Sequence, residues 1–378
     1  MVSHSCVVES YRGKFWELAK YPEADIHLVI PGAWPEHNQW VTARKTDRAP
    51  FETHITRAYR LGRVASYFYH PIAFEGIVRH VRPDVVLAEE EPWSLAAWQC
   101  LVSSRSVSAR LVFFTWENVW RRYKWISEKI LLSVLRHADA AVAGNKEAVG
   151  ILRRRGFSGK VEQIPQHGVT IAAIDRNDPS PPRVLDGLRR PRMAFLGRLE
   201  REKGVDVLLN AVSRLDGTWS LVIIGNGSER EKLLRLAEDL HIDHRVRFLP
   251  GIPHGDVPMY LGAVDILVLP SIATPTWKEQ FGRVLAEAMA AGAVVVGSDS
   301  GAIPEVVGDA GMIFPEGDSP RLSDVLRSLL QSPHLRLELV RRGRQAVLAR
   351  YSDEIVGARF FSLFAALAGK PTVSKTTA

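Results

Sequence analysis

The stretch DILVLPSIATPTWKEQFGRVLAEAMAAGAVVVGS, residues 265–298, spans a complete strand–loop–helix–strand unit. DILVLPS (265–271) and AVVVGS (293–298) are short continuous apolar runs, as expected of strands buried on both faces. Between them, Val284, Leu285, Ala288 and Met289 make one apolar helix face, with Gly292 placed to stop it. The helix starts near Phe281 and Gly282, so IATPTWKEQ is a loop and Glu279 hangs in it. Glu287 falls roughly 130° from the centre of the apolar face on the 3.6-residue period, free to point into a cleft. Between the two carboxylates, the first-turn amides around Gly282, Arg283 and Val284 form a helix N-terminus, a ready site for phosphate. A carboxylate on each side of a phosphate cradle suits a nucleotide-sugar, whose hydroxyls lie at either end of its phosphates.

The same alternation runs the length of the chain. In the first half the apolar runs are IHLVI (26–30), DVVLAE (84–89), RLVFFT (110–115), DAAVAG (139–144) and VEQIP (161–165). The second half has RMAFLG (192–197), SLVIIG (220–225), VRFLPG (246–251), DILVLPS, AVVVGS and GMIFP (311–315). Helix-period segments separate them, which predicts an α/β protein of two doubly wound parallel sheets. At 378 residues the chain exceeds the size at which one core stops growing. The Pro-, Asp- and Arg-rich stretch 172–191 has no clear period. The expected organisation is therefore an N-terminal Rossmann-like domain over 1–175, a linker over 176–191 and a C-terminal Rossmann-like domain over 192–352. Residues 353–378 make a final helix, expected to cross back to the N-terminal domain, and a frayed tail. The first strand is odd: only Met1 and Val2 precede the polar Ser-His-Ser, so it is nearly absent or starts upstream.

Composition narrows the setting. No run approaches 18 apolar residues and the first residues lack a signal-peptide layout, so neither export nor a membrane span is expected and the location is cytoplasmic. Cys6 and Cys100 are the only cysteines, with neither metal-ligand spacing nor a disulfide framework. The net charge is +7, and all the surplus is N-terminal: residues 101–190 hold 16 Lys/Arg against 8 Asp/Glu. Such a face fits solubility, an acidic partner or an anionic membrane at the inner face. No nucleic-acid partner is expected.

Chemistry in such sheets is sought in the loops after the strands. After RMAFLG come Arg198 and Lys203, two cations that can hold a diphosphate and neutralise charge as it leaves. After SLVIIG come Gly225 and Gly227, which allow close approach to a nucleotide or serve plain turn geometry. Beyond VRFLPG, Ile252 and His254 can edge a base pocket.

E-x7-E after a strand-Pro-Ser loop, with E-x-F-G and A-E-A-M-A-x-G, resembles the retaining glycosyltransferases of family 4, which carry two Rossmann-like domains facing each other across a cleft in the GT-B arrangement. F-L-G-R-L-x-x-x-K-G at 195–204, I-P-x-x-G-V at 164–169, I-I-G-x-G at 223–227 and S-G-A-I-P-E-V-V at 300–307 match as well. The likeness is dense over about 160–320, and the first 150 residues share only the layout. It implies that Arg198 and Lys203 grip the donor diphosphate and that Glu279 holds hydroxyls of the donor sugar. The backbone from Phe281 through Gly282 and Arg283 to Val284 would meet the phosphates, Glu287 the ribose, with Gly225 and Ile252 beside the nucleotide. It also implies a nucleotide-sugar donor, a sugar or lipid-linked hydroxyl acceptor, a role in polysaccharide or glycolipid biosynthesis and no cofactor. No Asp-x-Asp is present, so transfer is expected to need no metal.

The N-terminal half departs from the family. HSCVVESYRGK lacks the Gly-Gly turn common after strand one, and FFTWENVWRRY has Trp116, Glu117 and Asn118 where many members have a His. AEEEPW stacks Glu89, Glu90 and Glu91 at a strand end, where like charges should raise at least one pKa. Glu91, Glu117 and Asn118 are the acceptor-side candidates. Residues 119–137 mix Trp120, Tyr123, Trp125, Ile126, Ile130 and Leu131 with five cations, fitting either a membrane-surface helix or a packed helix with a basic outer face. Two other functions fit the same layout: a sugar-nucleotide epimerase, and a nucleotide-sugar-binding module without activity.

Overall fold

Val2 lies between two strands far from it in sequence, donating its N–H to Leu87 O at 2.8 Å and accepting from Glu89 N at 2.8 Å, while Met1 O and Ser3 N bond to Val29 on the other side. These three residues fill the first strand position of the N-terminal sheet. The computed structural model describes residues 1–36, 39–171 and 182–370, which form two units, Met1–Gly168 together with the chain from Asp353, and Val169–Ser352.

In the first unit the parallel strands are β1 (His27–Pro31), β4 (Glu52–Thr56), β7 (Val85–Ala88), β8 (Arg110–Thr115), β9 (Ala140–Ala143) and β10 (Lys160–Gln163). With Met1–Ser3 inserted, their order is β4, β1, residues 1–3, β7, β8, β9, β10. Two antiparallel ribbons, β2 (Ala33–Glu36) with β3 (Gln39–Thr42) and β5 (Ala58–Tyr59) with β6 (Phe68–Tyr69), interrupt the winding. Helices α1 (Gly13–Leu18), α2 (Pro71–Val81), α3 (Leu95–Ser106), α4 (Trp125–His137) and α5 (Lys146–Arg154) cover the sheet. Asn145 caps α5 by accepting from Ala148 N at 2.8 Å, and Ser94 caps α3 by accepting from Ala97 N at 3.1 Å.

In the second unit β11 (Arg192–Leu196), β12 (Ser220–Ile224), β13 (Val246–Leu249), β14 (Ile266–Leu269), β15 (Val294–Ser298) and β16 (Gly311–Phe314) form one parallel sheet in the order β13-β12-β11-β14-β15-β16. That is the doubly wound order, with its direction of winding reversing between β11 and β14. Helices α6 (Val205–Val212), α7 (Arg230–Asp239), α8 (Val257–Leu261), α9 (Arg283–Ala291), α10 (Ile303–Val307), α11 (Ser319–Gln331) and α12 (Pro333–Arg350) complete it. Of the expected linker, residues 176–181 lie outside the described residues. The remainder packs on this unit, with Leu185 buried in a cluster with Val222, Ile224 and Leu249. Helix α13 (Asp353–Leu367) belongs to the first unit, where it lies against α1 and stacks Phe361 on Tyr21 with ring centroids 3.8 Å apart.

The loops after the strands of the second sheet approach so closely that only glycine fits. A Cβ on Gly225, at φ 154°, would fall 1.8 Å from Gly197 O, and one on Gly204, at φ 64°, 2.0 Å from Pro270 O. Gly225→Ala should therefore destabilise the protein by about 1–3 kcal/mol, the usual range for overpacking. Urea unfolding would detect this as a lower midpoint, whereas Gly76→Ala, where a Cβ meets nothing within 4 Å, should cost far less.

Candidate functional site

The reversal of winding between β11 and β14 leaves a gap beyond their carboxyl ends, the position where such sheets bind ligands. Lys203 follows β11 and Glu279 follows β14. Lys203 Nζ donates to Glu279 Oε2 at 2.6 Å, and Ser271 Oγ donates to the same oxygen at 2.9 Å. Trp277 lies beneath the ammonium, 4.8 Å from ring centroid to nitrogen. The Glu279 carbonyl accepts from Ala302 N at 2.9 Å in the loop after β15, and a Cβ on Gly301 would fall 2.2 Å from it. Three loops thus fix one residue: two hold its carboxylate and the third its carbonyl. Arg198 is more exposed and reaches Glu202 at 3.7 Å.

Helix α9 starts at Arg283, with Gly282 before it at φ 70° and no side chain capping the first amides. A Cβ on Gly282 would press on Leu269 and Leu285. Phe281 is buried edge-on to Tyr351, with centroids 5.6 Å apart, so only its backbone is at hand for a ligand. Val284 follows in the first turn.

Glu287 was expected to be free; it is 8% exposed and engaged. Arg283 Nε donates to its Oε1 at 2.7 Å, and His254 Nε2 stands 3.2 Å from the same atom. Burial alone would raise its pKa, but the His254 hydrogen bond and the Arg283 charge outweigh it and hold the carboxylate below its ordinary value. Ile252 is half-buried beside the Leu185 cluster. The Gly225 turn is accounted for by the Gly197 carbonyl against which it packs.

In the first unit the three consecutive carboxylates do not stack. Glu89 takes the fully buried Lys14, whose ammonium also donates to Gln166 O. Glu90 accepts from His4 N at 2.9 Å and pairs with its Nδ1 at 2.7 Å. Glu91 accepts from Thr115 Oγ1 at 2.7 Å and Trp116 N at 2.8 Å. Its pKa is pushed up to about 7, first by burial; the two hydrogen bonds oppose that rise, and Glu117 and Glu90 add only smaller repulsion. Glu117 is already bound to Arg155 Nη2 at 2.9 Å and Tyr123 Oη at 2.7 Å, and Asn118 is buried beside it. Trp116 rests where Gly144 has no side chain and donates to Gln166 Oε1 at 2.9 Å.

Lys14, His4, Ser271 and Trp277 were not read from the sequence as site residues. Ser271 and Trp277 adjoin recognised motif positions, but Lys14 is a lone lysine before Phe15 and Trp16, and nothing in its residue type signals burial. The helix expected over 119–137 starts only at Trp125. Its Ile130 and Leu131 face inward and Tyr123 stacks on Trp93, so neither the two aliphatic residues nor the tyrosine belongs to an outward stripe.

Residues 183–346 match the family of glycosyl transferases group 1. A phosphatidyl-myo-inositol mannosyltransferase of Mycobacterium leprae (strain TN) is 36% identical over 293 residues, 75% of this chain and 73% of that protein. The lipopolysaccharide core biosynthesis glycosyltransferase LpsE of Rhizobium meliloti (strain 1021) is 28% identical over 244 residues, 64% of this chain and 67% of that protein. Among solved structures, Anabaena Alr3699/HepE in complex with UDP aligns with a TM-score of 0.71 at 17% identity, covering 94% of this chain and 96% of that one. A glycosyltransferase from Rickettsia africae ESF-5 aligns with a TM-score of 0.72 at 15% identity over 97% of each chain. The fold is that of the GT-B glycosyltransferases. The chain belongs to the group 1 glycosyl transferases, glycosyltransferase family 4.

Glu91 makes stability pH-dependent. Its folded pKa of about 7 lies above the ordinary 4.5, so between those values the folded state holds a proton that the unfolded chain has released. This contribution is complete below about pH 4.5 and is lost as pH rises through about 7. Glu91→Gln should gain stability relative to the parent chain when urea midpoints are compared from acid to alkaline conditions across that window. A constant difference between the two would show that Glu91 ionises normally.

Proposed function

We propose that the chain is a retaining, metal-independent hexosyltransferase that moves a sugar from a nucleoside diphosphate to a hydroxyl of a lipid-linked or saccharide acceptor. The observation that carries this is the Lys203–Glu279–Ser271 cluster at the point where the sheet's winding reverses, next to the uncapped start of α9. Lys203, Arg198 and the first amides of α9 bind the diphosphate and stabilise the charge that grows on it as the bond from sugar carbon to phosphate oxygen breaks. Glu279 accepts hydroxyls of the donor sugar. The acceptor oxygen bonds to the sugar carbon on the face that the diphosphate leaves, and its proton passes to the departing phosphate. Glu287 accepts from the ribose, held in orientation by Arg283 and His254. Glu91 is the acceptor-side carboxyl left without a cationic partner among its hydrogen bonds, unlike Glu117.

Support for a lipid-linked acceptor comes from relatives named for phosphatidyl-myo-inositol and lipopolysaccharide core, and from the surface of the first unit. No helix among the described residues is long and apolar enough to cross a membrane. Helix α4 instead exposes Trp125 by 69% and Ile126 by 64%, amid Arg121, Arg122, Lys124 and Lys129. Aromatic and aliphatic side chains ringed by cations suit an anionic lipid surface.

Calorimetric titration of UDP, GDP and ADP, with and without a chelator, tests the donor site. One nucleotide should bind irrespective of chelator, and Arg198→Ala and Lys203→Ala should weaken it. Glu279→Gln should lower kcat by roughly 100-fold, as for loss of one transition-state contact, while leaving nucleotide affinity nearly unchanged. Glu287→Ala should weaken the free nucleotide by about tenfold or more, the worth of a charge-assisted hydrogen bond. Failure of all three nucleotides to bind would remove the transferase assignment of the site.

Co-sedimentation with vesicles tests the lipid surface. The protein should pellet with vesicles containing anionic phosphatidylglycerol and remain in solution with pure phosphatidylcholine. Trp125→Ala with Ile126→Ala should abolish pelleting without moving the melting temperature, because both side chains are already exposed. Equal pelleting of variant and parent would exclude this face.

A further inference from the structure

Strands β1 and β4 run parallel with His27 opposite Glu52 and Val29 opposite His54. Side chains alternate along a strand, so residues 27, 52 and 54 share one face of the pair. They sit at the amino ends of the strands, the end opposite that used by the site described above. His27 Nδ1 and His54 Nε2 stand 3.0 Å apart, with the rings near-parallel at 17°. The Glu52 carboxylate spans the two rings, with its Oε2 3.5 Å from His27 Nδ1 and its Oε1 3.7 Å from His54 Nε2.

These separations match a metal's first shell. A zinc ion bound at 2.0–2.2 Å in tetrahedral geometry holds its ligand atoms about 3.3–3.5 Å from one another. The two nitrogens are 3.0 Å apart, each has a Glu52 oxygen at 3.5 or 3.7 Å, and one ligand atom from each of the three residues lies within 4.8 Å of the others, a cluster that an ion can draw together by small side-chain rotations. The far nitrogen of His27, Nε2, stands 3.4 Å from Asp25 Oδ2, a carboxylate placed to keep the proton on Nε2 and leave the Nδ1 lone pair turned to the ion. Glu52 is largely exposed, so an ion can enter from solvent, and the fourth tetrahedral position is left for water.

We propose that His27, Glu52 and His54 bind a zinc ion that clamps the outermost strand, β4, to β1. Two imidazoles with one carboxylate are ligands that zinc takes readily, whereas magnesium and calcium prefer oxygen alone. The role is structural. His27 and Glu52 open their strands, whereas the acceptor-side Glu91 follows the carboxyl end of β7, so the ion is assigned no part in the metal-independent transfer proposed above.

The test uses the full chain without a histidine tag, stripped with EDTA and dialysed. Titration with zinc against a chromogenic chelator should show one high-affinity ion per chain, and cobalt at the same site should give the intense visible bands of a tetrahedral complex. His54→Ala and Glu52→Gln should each weaken zinc by at least tenfold. Zinc should raise the melting temperature of the parent chain and not of either variant. Because Glu52 is exposed, Glu52→Gln keeps the test informative should His54→Ala fold poorly. Zinc uptake equal in parent and variants, or no uptake by the parent chain, would overturn the proposal. Nucleotide titration of the stripped protein separates this outcome from failure of the transferase site, since donor binding should persist without zinc.

Discussion

Lys203 and Glu279 are 76 residues apart in sequence and 2.6 Å apart in space. The order of the second sheet makes this so: β11 and β14 are neighbours because the winding reverses between them, and the loops that follow must diverge from a shared edge. What keeps these loops in register is backbone contact. Ile272 N donates to Glu202 O at 2.8 Å, Gly204 has room for Pro270 O only because it lacks a Cβ, and Gly301 accommodates the Glu279 carbonyl in the same way. Lys203 and Ser271 hold the carboxylate, and the Ala302 amide holds the backbone behind it, before any ligand arrives. Preorganisation of that kind is what electrostatic stabilisation of a leaving diphosphate requires, since charges fixed in advance cost no reorganisation during reaction.

The first unit repeats the arrangement with a different outcome. Its own reversal falls between Met1–Ser3 and β7, and there too a lysine meets a glutamate, Lys14 with Glu89. Both side chains are wholly buried, and the ammonium lies 5.0 Å from the Phe360 ring of α13. Removing one partner of such a pair strands a charge and costs about 3–5 kcal/mol, so the pair ties the start of α1 to the end of β7. Lys203 keeps some exposure and can reach a phosphate; Lys14 cannot. The same residue types at equivalent sheet positions therefore serve packing in one unit and are available for chemistry in the other.

Every apolar run read from the sequence contains a strand, and the central ones, such as β12 and β15, declare themselves because burial along their whole length requires a nearly continuous apolar run. Strand β4, Glu-Thr-His-Ile-Thr, lies at the sheet edge and has Ile55 as its only apolar residue, so it carries no such signal. Residues 1–3 are too short to be periodic at all. At the site, Glu279 and Lys203 were legible through their motifs, and the loop before α9 through Gly282. The fates of Glu117 and Glu287 were not, because both depend on arginine and histidine or tyrosine side chains brought from other elements or another turn. Arg155 reaches Glu117 across 38 residues, and His254 meets Glu287 from the loop after β13. The Arg283–Glu287 pair is an i,i+4 contact that helical spacing can suggest, but partners such as His254 and Arg155 come from other elements and spacing along one helix cannot reveal them.

That distinction also explains which carboxyl of the first unit keeps chemical latitude. Glu89 faces an ammonium, Glu90 an imidazole and Glu117 a guanidinium. Glu91 accepts only from a hydroxyl and a backbone amide in its hydrogen bonds, donors that offset part of the cost of burial but bring no charge. Burial therefore pushes its pKa up to about 7. A carboxyl near neutrality can accept a hydrogen bond when ionised and donate one when protonated, which are the two ways of holding a hydroxyl. Lysine, histidine and arginine side chains occupy three of the four neighbouring glutamates, and the fourth is left to respond to whatever comes next to it.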